Sequence, residues 1–196
     1  MENTLSAVIN AIENRELDCI LLDFDGVLTC LPVDWDEVRR EVSKLLSRNV
    51  ESLRKLFKEL FGTHLFDVVS SLVESREFEA LRDAPLNTGL VALIREAKER
   101  GLKVFIVTHQ SSRVVATFLR KFRLEDVVDG ILTRDVNPEK RCLIEILINT
   151  RACRRSRTVL LDDSPRNVDE CRRTGIVTLL FSRSWCNDFE SLRIYV

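Results

Sequence analysis

Apolar residues fall in two rhythms along this chain. Short unbroken runs recur at Cys19-Ile20-Leu21-Leu22, Val104-Phe105-Ile106-Val107 and Val159-Leu160-Leu161. Such runs of three or four, bounded by turn residues, predict strands buried on both faces of a parallel sheet. Between them, apolar residues return every three or four positions, the helical period. Leu5, Val8, Ile9 and Ile12 predict an N-terminal helix over 1–17. Leu90–Arg100, a stretch capped by Ser111 or Ser112 and carrying Val114, Val115, Phe118 and Leu119, Pro138–Ile148 and Asn167–Thr174 predict further helices. Lys103–Thr108, Gly130–Thr133, Thr158–Asp162 and Ile176–Phe181 predict strands between them. Strands alternating with helices imply an α/β fold, a doubly wound parallel sheet covered on both faces. Ser182–Val196 is the least informative stretch; Trp185, Phe189, Leu192 and Ile194 are expected to pack on the core.

One segment breaks the alternation. From Leu31 to Ala84 nothing reads as a buried strand. Asp34-Trp35-Asp36-Glu37 is an acidic helix start, followed by Val38, Val42, Leu45 and Leu46. Leu53, Leu56, Phe57, Leu60 and Phe61 predict a second helix, stopped by Gly62. Leu65, Phe66, Val69 and Leu72 predict a third, and Phe78 with Leu81 a fourth. The expected organisation is an α/β core from 18–30 and 85–196, with a helical cap inserted at 31–84. Its two connections lie close together at one end, the pattern of a hinged lid.

The first strand ends in an unusual way: Leu22-Asp23-Phe24-Asp25-Gly26. Carboxylates at the carboxyl end of a parallel strand lie where open α/β sheets bind ligands. The run at Leu160-Leu161 ends in Asp162-Asp163, and the run at Val104–Val107 ends in Thr108. Carboxylates and a hydroxyl converging on one sheet edge suit a Mg²⁺ site, since Mg²⁺ takes oxygen ligands. A carboxylate can also attack phosphorus to form an aspartyl-phosphate. Asp23 is the candidate nucleophile. Asp25, in the turn, can protonate a leaving group and then activate water. Asp163 can complete the metal site, with Asp162 supporting it. Thr108 can bond a phosphoryl oxygen, and a lysine can cancel the remaining charge.

These motifs resemble the haloacid dehalogenase superfamily, phosphatase branch with a helical cap, of the phosphoglycolate phosphatase-like kind. Asp23-Phe24-Asp25-Gly26-Val27-Leu28-Thr29 is similar to its first motif, Val104–Thr108 to its second, and Val159–Ser164 to its acidic fourth. The resemblance implies that Asp23 is nucleophile and metal ligand, and that Asp25 is acid/base with its backbone carbonyl on the metal. It implies a lysine that often directly precedes a proline. The expected proline is preceded by Asn137, so Lys140 takes that role, with Arg134 and Arg141 as fallbacks. His109 stands where Asn is frequent; with Gly26 and Thr108 it is expected to meet phosphate or substrate, with pH modulating the binding.

Composition narrows the setting. The 196 residues carry a net charge of −1, so no global field attracts nucleic acid or an anionic membrane. The arginines at 151, 154, 155 and 157 precede a strand, away from its carboxyl end, and read as a solvated loop. No apolar run approaches the roughly 18 residues of a membrane span, and the N-terminus lacks the basic, then apolar, order of a signal peptide. A cytoplasmic location is expected. Six cysteines lie scattered without a CxxC pair, against a structural zinc site. Reduced thiols are the ordinary expectation. The single Gln and single Met beside many Arg and Glu resemble thermophile usage, where intracellular disulfides occur. The pairing stays open. The expected partners are a small phosphorylated substrate and, as an option, a second copy of the chain.

The function expected is Mg²⁺-dependent hydrolysis of a small phosphorylated metabolite. The alternatives are a phosphomutase of the same fold and a non-catalytic phosphate-binding relative. A dehalogenase has no use for Asp25. A signalling receiver would place its acidic pair first and a lone aspartate on a later strand; here a second pair follows Thr108 and a cap interrupts the order.

Overall fold

The computed structural model describes residues 2–187. Among these, five parallel strands form one sheet: β1 (Cys19–Leu22), β2 (Lys103–Val107), β3 (Gly130–Leu132), β4 (Thr158–Asp162) and β5 (Val177–Leu180). Their spatial order is β3-β2-β1-β4-β5. β1 pairs with β2 on one side and β4 on the other. The chain therefore winds outward in one direction from β1, then returns to wind outward in the other. The crevice between β1 and β4 is the switch point at which such sheets bind ligands.

Burial explains the central strands. Every residue of β1 and β4 is buried. Ile20, Leu22, Val104, Ile106, Val159 and Leu161 face one apolar cluster; Cys19, Leu21, Phe105, Val107 and Leu160 face another. Alternate side chains of a strand point to opposite faces, so a strand with both faces covered must be apolar throughout. The edge strand β5 leaves Val177 and Leu180 half exposed.

The helices around the sheet are α1 (Glu2–Glu13), α5 (Thr88–Glu99), α6 (Ser112–Phe122), α7 (Lys140–Asn149) and α8 (Pro165–Arg172). Their starts follow side-chain caps. Asn87 accepts from the Leu90 amide and opens α5 two residues before the predicted start. Ser111 is the cap of α6. Ser164 caps α8, with Pro165 in its first turn, so this helix also begins earlier than its apolar spacing predicts. Gly101 follows α5 with φ +84°, a backbone region that suits glycine.

Between β1 and α5 lie α2 (Trp35–Leu45), α3 (Leu53–Leu60) and α4 (His64–Leu81). They share a cluster of their own: Val38, Val42, Leu56, Phe57, Leu60, Phe66, Val69 and Val73. The two helices expected over 65–72 and 78–81 are one. The intervening Val73-Glu74-Ser75-Arg76-Glu77 contains no glycine or proline to stop a helix. α4 also runs past its own cluster: Ala80 and Leu81, near its carboxyl end, belong to the core cluster of the sheet. The chain leaves the core at Thr29 and re-enters at Pro85, and these points are joined. Thr29 Oγ1 donates to the Pro85 carbonyl at 2.7 Å, and Asn87 Nδ2 to the Val27 carbonyl at 3.0 Å.

Reduced thiols describe only two of the six cysteines. Cys19 bonds to Cys153 and Cys30 to Cys186, with Cα separations of 5.7 and 5.8 Å; Cys142 and Cys171 are free. The fold brings each pair together across more than a hundred residues, which sequence spacing cannot show. Arg154 and Arg157 pair with Asp18, and Arg155 with Glu145. Trp185 is buried in the core; Phe189, Leu192 and Ile194 lie outside the described residues. Among the described residues, no helix is long and apolar enough to cross a membrane.

Candidate active site

Register assembles the site. Leu22 lies level with Leu161 of β4 and Ile106 of β2. One residue further, Asp23 leaves β1 beside Asp162, its amide bonded to the Leu161 carbonyl at 2.9 Å. Thr108 follows β2 at the same edge, fully buried. The next turn depends on Gly26. Its φ is +84°, and a Cβ there would run into the Asp163 carboxylate. Glycine thus lets Asp163 close over the Asp23–Asp25 turn.

Lys140 sits at the centre of this edge. Its Nζ lies 2.8 Å from Asp23 Oδ2 and 2.6 Å from Asp162 Oδ2, with its side chain 1% exposed. It reaches there from the first residue of α7, which starts at Lys140 and not at Pro138. Arg134, the first fallback cation, is committed elsewhere. It is equally buried and pairs with Glu77 of α4 at 2.7 Å, while also bonding Ser70 Oγ and the His109 carbonyl.

Asp162 is held on several sides. Besides Lys140 it accepts from Asn167 Nδ2 at 3.1 Å and the Ser164 amide at 2.9 Å. Asp23, Asp162 and Asp163 each offer a carboxylate oxygen, all within 4.8 Å of one another. The Asp25 side chain turns aside from this group. Its Oδ1 accepts from the Leu31 amide at 2.8 Å, and Arg183 Nη2 approaches both of its oxygens at 3.3 and 3.4 Å. Arg183 Nη1 lies 3.1 Å from Asp163 Oδ2.

The charges do not balance. Four buried or nearly buried carboxylates, counted as ionised, face two cations, Lys140 and Arg183. The deficit of two positive charges is what one divalent cation supplies. Carboxylate oxygens packed this closely are the donor set Mg²⁺ takes. The protonation states carry the same imprint. Burial, joined by Asp162 and Asp163, pushes Asp23 up to about 7 against the pull of Lys140. Burial also raises Asp25, opposed by Arg183, and raises Asp163 together with Asp162. Burial works against the Lys140 ammonium, but Asp162 and Asp23 outweigh it and hold its pKa above the ordinary lysine value.

A cavity of about 250 Å³ separates this edge from the inserted helices. Asp25, His109, Gln110 and Arg134 line it from the core, and Trp35, Leu53, Arg54 and Phe57 from the insertion. The Thr108 hydroxyl donates to Gln110 Oε1. His109 departs from its expected behaviour. Burial first, then the charges of Lys140, Arg54, Lys58 and Arg134, hold its pKa well below the usual value. The imidazole is therefore neutral near neutral pH and does not act as a switch there. Its Nε2 is enclosed without a hydrogen-bond partner.

Sequence reasoning missed Arg183 and Glu77. Arg183 lies in the tail that carries no periodic signal, and Glu77 sits on a helix face that reads as solvated. Nothing local marks either residue, because each is defined by a partner distant in the chain.

Known proteins share this fold. Over its full matched length this chain is 22% identical to the "Putative 5'(3')-deoxyribonucleotidase" of Chlorobaculum tepidum, covering 98% of this chain and 89% of that protein. CbbY from Rhodobacter sphaeroides, solved with phosphate, superposes with a TM-score of 0.61 at 20% identity, covering 85% and 86% of the two chains. A structure from Lactobacillus plantarum described as a "putative phosphoglycolate phosphatase" gives 0.63 at 15% identity, covering 83% and 84%. The family model for the haloacid dehalogenase-like hydrolases matches residues 20–181, nearly all of the sheet and everything inserted in it, and the chain belongs to that family.

Proposed function

We propose that this chain is a Mg²⁺-dependent phosphomonoesterase that hydrolyses a small phosphorylated substrate through an aspartyl-phosphate on Asp23. The observation that carries it is the acidic edge, with more carboxylates than cations, around a buried lysine at the switch point of the sheet. Such an edge suits a divalent cation and a dianionic phosphoryl group arriving together.

Asp23 and Asp163, with the Asp25 backbone carbonyl, would hold the ion, and Asp162, bonded to Lys140 and Asn167, would support them. Mg²⁺ held by these residues would supply positive charge that offsets the repulsion between a carboxylate nucleophile and a phosphoryl group. Lys140 holds the Asp23 carboxylate in one orientation and presents its charge to the phosphoryl group. An oxygen of Asp23 attacks phosphorus and the ester bond breaks. Asp25, whose carboxyl burial pushes upward against the pull of Arg183, takes the general-acid role and gives a proton to the departing oxygen. The resulting Asp25 carboxylate takes a proton from water as that water attacks the phosphorus of the intermediate, releasing phosphate and restoring Asp23. Thr108, fully buried at the edge, is placed to bond a phosphoryl oxygen once its hydroxyl turns from Gln110.

The inserted helices act as a lid that excludes bulk water and contacts the leaving group. Trp35, Leu53 and Phe57 offer an apolar wall, and Arg39 and Arg54 a positive one. This favours a compact leaving group with a planar or apolar face. The named relative puts deoxyribonucleoside monophosphates in the assay panel, beside sugar phosphates and phosphoglycolate. The test is phosphate release from that panel with Mg²⁺ and with chelator. Hydrolysis should require Mg²⁺ and be inhibited by Ca²⁺, whose looser shell of 6–8 ligands spoils in-line geometry. Full activity in chelator overturns the reading, and transfer of phosphate between positions of one sugar, in place of release, makes the chain a mutase. The reading also takes the protein as cytoplasmic, which fractionation of its host tests.

A further inference from the structure

The tail after β5 is fastened onto the candidate active site at three points. Phe181 N donates to the Asp162 carbonyl at 2.8 Å. Trp185 Nε1 donates to the Gly26 carbonyl at 3.0 Å, inside the turn that carries both aspartates. Cys186 is bonded to Cys30, five residues after Asp25. Between these anchors Arg183 reaches back, and its guanidinium spans Asp163 and Asp25 at 3.1 and 3.3 Å.

The two anchoring chemistries differ in what can undo them. The hydrogen bonds of Phe181 and Trp185 are non-covalent and can shift with the backbone. The disulfide is the one covalent link of the three, and reduction opens it. Cys30 and Cys186 are each partly exposed, whereas Cys19 and Cys153 are buried. A dithiol reductant can therefore reach the Cys30–Cys186 bond first. That exchange breaks one S–S bond, passes two electrons and two protons to Cys30 and Cys186, and leaves the reductant as its own disulfide.

The functional reading above has a divalent cation sharing Asp163 and the Asp25 turn. A guanidinium already bonded to these carboxylates competes with it: the oxygens are partly committed, and two cations side by side repel. We propose that Arg183 is a built-in competitor of the metal ion, and that the Cys30–Cys186 disulfide, by pinning its segment, lets thiol–disulfide state set metal affinity. The oxidised protein binds Mg²⁺ weakly; opening the bond lets Arg183 swing away and the ion bind more tightly. The proposal rests on the metal site of the proposed function.

The test is calorimetric titration of Mg²⁺, without substrate, into chelator-stripped protein. Four forms are compared: oxidised wild type, reduced wild type with thiols counted, Cys30→Ser/Cys186→Ser, and Arg183→Ala. Arg183→Ala should bind at least about tenfold more tightly than oxidised wild type, the scale of one charge-assisted contact. The reduced protein and the double serine variant should move the same way, and Arg183→Ala should no longer respond to reductant. Unchanged or weaker binding in Arg183→Ala overturns the competition. Tight binding there with no change in the double serine variant overturns the redox control. Mg²⁺ binding that is present but insensitive to all these changes defeats this inference alone. No Mg²⁺ binding in any form defeats the proposed function with it.

Discussion

Two buried cations, Lys140 and Arg134, lie in neighbouring regions of this molecule under opposite rules. Both side chains are 1% exposed. Arg134 stands in the seam between the sheet and the inserted helices, where two of its nitrogens donate to the oxygens of one carboxylate, Glu77, at 2.7 and 3.0 Å. Ser70 and the His109 carbonyl take its other protons, and the Phe57 ring lies beneath it at 5.1 Å. That region is balanced and complete. Lys140 stands at the reacting edge, where it is outnumbered by carboxylates. The contrast separates two uses of buried charge. A balanced pair fixes two parts of a fold against each other; an unbalanced group is held in readiness for ions that come from outside.

The sharpest break of the unbalanced region is Asp23→Asn. The amide cannot form the covalent intermediate, so aryl phosphate turnover should fall to background while circular dichroism stays unchanged. Asp25→Asn should fall less, by roughly 10²–10⁴-fold, the worth of general acid–base help. Near wild-type turnover in Asp23→Asn would remove it as nucleophile.

The next pair sets the two cations against each other. Lys140→Ala should lower kcat by about 10²–10³-fold, the scale of losing one charge-stabilising group. Arg134→Ala should spare more of kcat but lose about 3–5 kcal/mol of stability, because it strands a buried carboxylate. The double change Arg134→Met/Glu77→Leu should recover most of that, since a buried pair replaced by apolar residues of similar size is often near neutral. Denaturant unfolding and steady-state kinetics read both. A greater loss of kcat in Arg134→Ala than in Lys140→Ala would reverse the assignment of the phosphate cation.

The smallest effect is in pH. Asp23 is raised in the fold, so its contribution favours the protonated form. That stability is present below about pH 4, the unfolded value, and is lost as pH rises through about 7. Thermal melting of chelator-stripped protein should therefore drop across that window. Saturating Mg²⁺ should flatten or reverse the slope, because the ion favours the ionised carboxylates. An equal slope with and without Mg²⁺ would place the ion elsewhere.

The same contrast shows why some of this was legible in the sequence. β1, β2 and β4 announce themselves as apolar runs, because a strand covered on both faces has no polar position to blur it. Asp23, Asp162 and Thr108 stand out because each interrupts such a run at its end. Lys140 needed the family resemblance, since a lysine in a first helical turn is usually solvated. Arg134 reads locally as a spare cation; its role is fixed by Glu77, 57 positions away. Arg183 and the two disulfides depend on still longer separations. Local pattern reports what each residue does to its own element, and long-range pairing lies beyond it.

α4 has a mechanical consequence. Its 18 residues form one rod of about 27 Å. Phe66, Val69 and Val73 grip the inserted helices at one end, and Ala80 and Leu81 are seated in the main core at the other. Glu77 lies between, holding Arg134 and reaching the Ser111 amide at the start of α6. A rod without an elbow ties together everything fastened to it. Through Glu77 the inserted helices, Arg134 and the start of α6 share one rigid element, and their spacing is set by these contacts.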